Sequence, residues 1–267
     1  MISFDITSLF KKLPVLDHGH VELFDGTVLD PRLKIANAAR VSYNKCSTEY
    51  SPKDAKLVKF LFDHGHFSTY RHSYFSFRIK APLFVFRQLW KYQVGSEWES
   101  EEELGHSIVI PNTSWNEKSG RYAEIEPEFY VPAIVRGQSA INKQGSSTEI
   151  ITDINGQTPQ DVIRQATIAS FEAYNTMLSA GVAKEIARFI LPPNVYSECI
   201  WTCSLQSLIH VFKQRLKNDA QYETREFAWA MYALLDGILG EVIDIAGSQD
   251  ANDYSWFQEQ LVGLQNA

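Results

Sequence analysis

The chain is short of several things, and each shortage removes a class of protein. It has three cysteines in 267 residues, Cys46, Cys199 and Cys203, and no Cys-x-x-Cys pair. An odd count without paired spacing argues against a disulfide framework and for a reducing compartment, here read as the cytoplasm. Cys199 and Cys203 stand four apart in an apolar run, which predicts buried thiols rather than metal ligands. No apolar stretch approaches the roughly eighteen residues of a membrane span, and no basic-plus-apolar leader opens the chain. Positive charge is in deficit: Lys and Arg total 25 against 32 Asp and Glu, a net charge of −7. A general nucleic-acid surface is therefore not expected, although a local basic pocket for a small anion remains open. Glycine-rich dinucleotide fingerprints, Walker A loops and Gly-x-Ser-x-Gly elbows are all missing, and no serine–histidine–aspartate pattern stands out.

What is present suits a globular domain with a sizeable core, with aromatics on the high side at 13%. The stretch VELFDGTVLD (21–30) predicts two short strands about Asp25-Gly26. Residues 31–43 open on proline and predict a short helix. Residues 51–66 predict a helix capped by Ser51, with Pro52 in its first turn and Gly65 at its end. Alternation of Phe75, Phe77 and Ile79 predicts a strand over 72–81, followed by a helix over 82–95. Residues 96–114 begin acidic and end apolar, and predict an inserted hairpin or flap. A strand is expected at IEPEFYVP (125–132), and a polar surface connection over 133–157. Helices follow at 158–181, 183–191, 205–216 and 222–247, the last weakened near Gly237 and Gly240. A β-rich stretch, 194–204, lies among them.

Asp-His-Gly-His occurs at 17–20 and again at 63–66. Histidine pairs of this kind occur in metal sites, but Gly and His also suit helix ends and turns, and no metal is expected. Four arginines, Arg87, Arg121, Arg188 and Arg215, sit among apolar or small residues. Each one alone could pair with a carboxylate or snorkel to water; together they fit a pocket for a phosphorylated ligand. WNEKSGRY (115–122) concentrates the same chemistry. It reads either as a surface loop or as an anion site in which the Ser119 hydroxyl, the Gly120 N–H and Arg121 cradle a phosphate while Glu117 orients the ligand. Gln88 adds an amide suited to a phosphate or a base edge.

KAPLFVFRQLW (80–90) followed by NEKSGRY (116–122) resembles the flavin-dependent thymidylate synthases, the ThyX family. AARVSY (38–43), residues 65–82, residues 181–208 and FKQRLKNDAQYE (212–223) are similar to it in the same order, over about residues 20–245. The resemblance implies a mixed α/β (α+β) fold. One domain would span 1–267, with its core at about 20–247, a central sheet, long helices and an insertion near 96–114. It implies a homotetramer with sites between subunits and no nucleic-acid or membrane partner. The implied reaction is reductive methylation of dUMP at uracil C5 to dTMP, with FAD as cofactor and NADPH and methylenetetrahydrofolate as co-substrates. By matching position, Arg215 would stabilise the anionic pyrimidine. Gln88, Lys91, Glu117, Ser119, Gly120, Arg121, Arg188 and Arg215 would bind dUMP. Ser42, His72, Lys91, Tyr92, Gln93, Glu117, Ser204, Gln206 and His210 would meet FAD.

The chain departs from the family on the flavin side. Lys91-Tyr92-Gln93 stands where the family has Arg-His-Arg, which loses the planar fork of arginine. Ser204, Gln206 and His210 replace the common Asn, Arg and Asn, and Asp219 replaces a common His. Two other outcomes stay open on these residues: hydroxymethylation of dUMP at C5 on the same fold, and a non-catalytic nucleotide-binding or assembly subunit.

Overall fold

The computed structural model describes residues 11–26, 30–92, 98–101, 107–110 and 114–239. Its elements, in chain order, begin with β1 (Lys12–Val15), β2 (Gly19–Gly26), α1 (Pro31–Arg40), α2 (Pro52–Asp63), β3 (Tyr74–Pro82) and α3 (Leu83–Leu89). Next come β4 (Trp98–Glu101), β5 (Ser107–Ile110), β6 (Trp115–Glu117), β7 (Arg136–Gln138) and β8 (Ser146–Ile150). The last are α4 (Pro159–Ser179), α5 (Lys184–Ala187), β9 (Tyr196–Ser204), α6 (Leu205–Arg215) and α7 (Tyr222–Leu239). Short 3-10 turns at Val41–Tyr43, Phe67–His72 and Arg188–Ile190 link them. A mixed α/β fold results, as expected.

Five strands form an antiparallel sheet in the order β1-β2-β3-β9-β6. Alternation decides its faces. Phe75, Phe77 and Ile79 stand opposite Cys203, Trp201 and Cys199, and all six side chains are buried. The other face carries Ser76, Arg78, Lys80, Glu198 and Thr202. Helices cover the apolar face: Leu208, Val211 and Phe212 of α6 and Phe227, Met231 and Leu235 of α7 join the strands in one core. A smaller cluster of Phe171, Tyr174, Ala187 and Val195 sits beneath α4. Burial raises the pKa of both Cys199 and Cys203, so these thiols stay neutral and act as small hydrophobes.

Several expectations shift. The first hairpin turns at 16–18, where Leu16 takes a positive φ of 58°. Strand β2 extends to Gly26 with a register irregularity between Leu23 and Asp25, and the second strand expected after Asp25-Gly26 falls largely on residues 27–29, outside the described residues. IEPEFYVP forms only an isolated bridge, Phe129 with Val195, because Pro127 and Pro132 cannot donate to a ladder. The polar stretch 133–157 holds the β7–β8 hairpin, tightened where Gly145 N–H donates to Asn142 O at 3.0 Å. Helix α3 ends at Leu89, and Gly95 lies outside the described residues. Helix α7 continues through Gly237 to Leu239; residues 240–247 also lie outside. Within the insertion, β4 pairs antiparallel with β5, with Trp98 opposite Ile110; residues 96–97, 102–106 and 111–113 lie outside the described residues. Among the described residues, no helix is long and apolar enough to cross a membrane.

The caps were legible, but one carries more than a cap. Asp54, in the first turn of α2, accepts from Ser51 N–H at 2.8 Å, from the Ser51 hydroxyl and from Arg40 of α1. Its side chain is 1% exposed. Burial alone would raise its pKa; the hydrogen bonds from Ser51 and Arg40 outweigh that and lower it. A lowered folded pKa means stability that is present above the unfolded value and is lost as pH falls through the folded one. Asp54→Asn is expected to cost about 3 kcal/mol in urea unfolding, as for a broken buried pair. The variant should also lose part of the wild-type protein's destabilisation below about pH 4.

Candidate active site

Strand β6 adds three residues to the edge of β9, and this pairing places Glu117 opposite Cys199. The chain then leaves the sheet. Lys118 N–H donates to Glu198 O at 2.7 Å, and Arg121 N–H donates to the Ser119 hydroxyl at 3.3 Å, which folds Ser119-Gly120-Arg121 into a tight turn. Gly120 is buried there: a Cβ would lie 2.9 Å from Ile125 Cδ1 and 3.5 Å from Arg188 Cδ. The absent side chain is what lets the Arg188 stem approach the turn.

A cleft of about 580 Å³ opens in front of it. Glu117, Ser119, Gly120, Arg188 and Arg87 lie on its lining, together with Lys80, Glu128 and Glu198. Most charges on the carboxylate wall are spent on one another. Lys80 pairs with Glu128 at 2.6 Å, and Arg78 pairs with Glu198. Among the described residues, neither Arg87 nor Arg188 has an ion-pair partner. Two free guanidiniums beside a serine and a buried glycine form an anion site with no counter-ion of its own. Arg121 turns to Glu185, at 3.3 Å, and does not line the cleft. Sequence reasoning singled out Arg87 without placing it, and missed Lys80, Glu128 and Glu198. The cross-strand pairing of Lys80 with Glu198 was the missing signal, and register is not readable from one strand.

The remaining candidates gather elsewhere, along the start of α6 and the end of α3. Arg71 Nε donates to Gln206 Oε1 at 2.6 Å, with His72 beside it. One turn along α6, the His210 ring lies 5.3 Å from that of Tyr92, and the Arg215 guanidinium lies 5.5 Å from the same Tyr92 ring. The Ser207 hydroxyl donates to Tyr92 O at 3.1 Å and pins the segment. Tyr92 is 8% exposed, and burial raises its pKa against the opposing effect of Arg215. The Nε of Arg215 is buried with no acceptor. Lys91 is exposed at the rim. Arg71, His72, Lys91, His210 and Arg215 make a strip of cations and neutral donors that suits a polyanion.

Other expected flavin positions are placed differently. Ser204 is fully buried, and its hydroxyl accepts from Ser207 N–H at 3.2 Å as the cap of α6. Ser42 is exposed on the turn after α1. Gln93 lies outside the described residues. Gln88 does not line the cleft; its Nε2 donates to Gln221 at 2.5 Å. Consecutive residues on α3 thus face different surroundings, Arg87 the cleft and Gln88 the Gln221 side chain. The Asp-His-Gly-His tetrads lie in different elements, one in the first hairpin and one at the end of α2, where Gly65 takes a φ of 71°.

The family model described as thymidylate synthase complementing protein matches residues 22–239. A flavin-dependent thymidylate synthase of Kosmotoga olearia is 34% identical over 220 residues, covering 82% of this chain and 86% of that protein. One from Thermotoga neapolitana is 35% identical over 224 residues, covering 82% and 87%. The crystal structure of the UMP/dUMP methylase PolB from Streptomyces cacaoi bound with 5-Br dUMP superposes with a TM-score of 0.67 at 26% identity. It covers 89% of this chain and 98% of that one.

Behind the carboxylate wall, His20 is buried opposite Lys80, its Nε2 4.0 Å from Glu198 and without a hydrogen bond. Burial, with the positive charge of Lys12 next in weight, depresses its pKa to about 4 against the partial pull of Glu198. The folded protein therefore holds His20 neutral where the unfolded chain would protonate it. Stability is complete above about pH 6.5 and should fall as pH drops toward 4, with a slope approaching about one proton taken up on unfolding. His20→Gln should remove that slope in denaturant titrations between pH 7 and 4.5.

Proposed function

The chain belongs to the thymidylate synthase complementing protein family, the flavin-dependent thymidylate synthases, and on that premise we propose how its cleft and strip work as one site. It is an enzyme that methylates dUMP in a flavin-dependent reaction. The carrying observation is the cleft, where Ser119, Gly120 and the unpaired Arg188 and Arg87 converge. Ser119, the Gly120 N–H and Arg188 hold the dUMP phosphate, and Glu117 orients the nucleotide.

Arg215 supplies the chemistry the pyrimidine needs. Uracil C5 is a poor nucleophile until negative charge builds in the ring. A guanidinium beside it stabilises that charge as C5 takes up the one-carbon unit, which we assign to methylenetetrahydrofolate. The buried, acceptor-free Nε of Arg215 supports this role. When bound, FAD supplies the hydride that turns the transferred carbon into a methyl group, with NADPH as the source of electrons. His72, Lys91, Gln206 and His210 fit its diphosphate and polar edge, whereas Ser204 and Tyr92 face inward and shape the strip from behind.

In one chain the cleft does not include Gln88, Lys91 or Arg215. This supports a homotetramer in which the cleft of one subunit faces the strip of another, completing each site between them.

Purified protein supplied with dUMP, methylenetetrahydrofolate, NADPH and FAD should form dTMP, and omission of any one should stop turnover. A C5-hydroxymethyl nucleotide by mass spectrometry would contradict the reductive step, and absence of any C5 product would contradict the enzyme. Arg188→Ala should raise KM for dUMP about 10- to 100-fold with a smaller change in kcat, as for a lost phosphate contact. Arg215→Lys keeps the charge and loses the fork, and should lower kcat about 10²- to 10³-fold.

A further inference from the structure

One buried carboxylate fixes the orientation of two amides in succession. Glu223, 5% exposed at the start of α7, has only donors around it. Arg136 Nη2 lies 3.1 and 3.4 Å from its two oxygens, the Tyr130 hydroxyl donates to Oε1 at 3.4 Å, and Gln221 Nε2 donates to Oε2 at 3.0 Å. An ionised carboxylate can only accept, so Gln221 presents its amide nitrogen to Glu223. Its carbonyl oxygen then faces Gln88, whose Nε2 donates to it at 2.5 Å. Turning Gln88 over would set two carbonyl oxygens against each other at that distance. Turning Gln221 over would set a carbonyl against a carboxylate. The amide assignment thus follows from the chemistry of the network.

The consequence reaches the substrate. With its nitrogen end committed to Gln221, Gln88 turns its Oε1 away from the network. A phosphate dianion has no proton to give that oxygen. On dUMP the available donors are uracil N3–H and the 3′-hydroxyl of the sugar.

We infer that Gln221 and Glu223 are positioning residues that hold Gln88 with its carbonyl oxygen toward the nucleotide, so that Gln88 reads a hydrogen-bond donor of dUMP and not its phosphate. The inference rests on the reading that Gln88 meets dUMP. It assigns the β7–β8 hairpin a task as well, because Arg136, at its start, balances the charge of Glu223.

Calorimetric titration of the FAD-loaded enzyme with dUMP, N3-methyl-dUMP and 2′,3′-dideoxyuridine monophosphate tests it. The wild-type protein should bind one blocked analogue about 10- to 100-fold more weakly than dUMP, and that analogue identifies the donor. Gln221→Leu, at an exposed position, should shrink the ratio to within about threefold, the same as Gln88→Leu. Glu223→Gln, which frees Gln221 to turn over, should do likewise. The preference for dUMP over deoxyuridine, which reports the phosphate contacts, should stay unchanged in all three. Wild-type protein that binds both analogues as well as dUMP overturns the inference. So does a Gln221→Leu variant that keeps the full ratio, even if every nucleotide binds more weakly. Failure of the wild-type protein to bind dUMP at all overturns instead the reading beneath it.

Discussion

The β3–β9 ladder is the constraint on which the rest depends. Nine registered pairs, from Tyr74 with Ser204 to Pro82 with Tyr196, join two strands distant in sequence. Six buried side chains on one face hold that register, because a slip of one residue would turn the three of the slipped strand to the opposite face. Each functional group is reached from an end or an edge of this ladder. Strand β3 runs directly into α3, which carries Arg87 and Gln88. Strand β9 is preceded by the Arg188 turn and followed by α6, which carries His210 and Arg215. Its free edge takes β6 and so fixes Glu117 and the Ser119 turn.

Electrostatics divides the surface that the ladder organises. The chain is acidic overall, yet both candidate sites hold arginines without an ion-pair partner among the described residues. On the outer face of the sheet, Lys80, Arg78, Glu128 and Glu198 neutralise one another. Arg87 and Arg188 stand beyond this paired wall and keep their charge for a ligand. Arg215 is held from beneath by the Tyr92 ring, a weak and non-ionic contact that leaves its charge available. A carboxylate partner in that position would have consumed the charge.

Local signals were legible in the sequence, and long-range ones were not. Ser51, Thr158 and the prolines after them mark helix starts that the structure places within a residue. Phe75, Phe77 and Ile79 announced one face of β3. The hairpin at 16–18 was missed because its turn contains Leu16 at positive φ, a conformation that residue type does not announce. WNEKSGRY and Arg188, far apart in the chain, were linked by their shared anion chemistry and by the family resemblance, and the cleft brings Ser119, Gly120 and Arg188 together. Nothing local could reveal that Tyr92 turns inward, that Ser204 is spent as a cap, or that Gln88 is held through Gln221.

The chain presents the Ser119–Arg188 cleft and Arg215 on different parts of its surface, and the proposed function joins them across subunits as phosphate site and ring-directed arginine. Co-expression of two inactive variants tests this directly. One carries Ser119→Ala and Arg188→Ala, and the other carries Arg215→Ala. The account predicts that mixed oligomers regain dTMP synthesis that neither variant shows alone, because some sites pair an intact cleft with an intact strip. Mixed oligomers that form and remain inactive would contradict it, and would require both halves of the site to come from one chain.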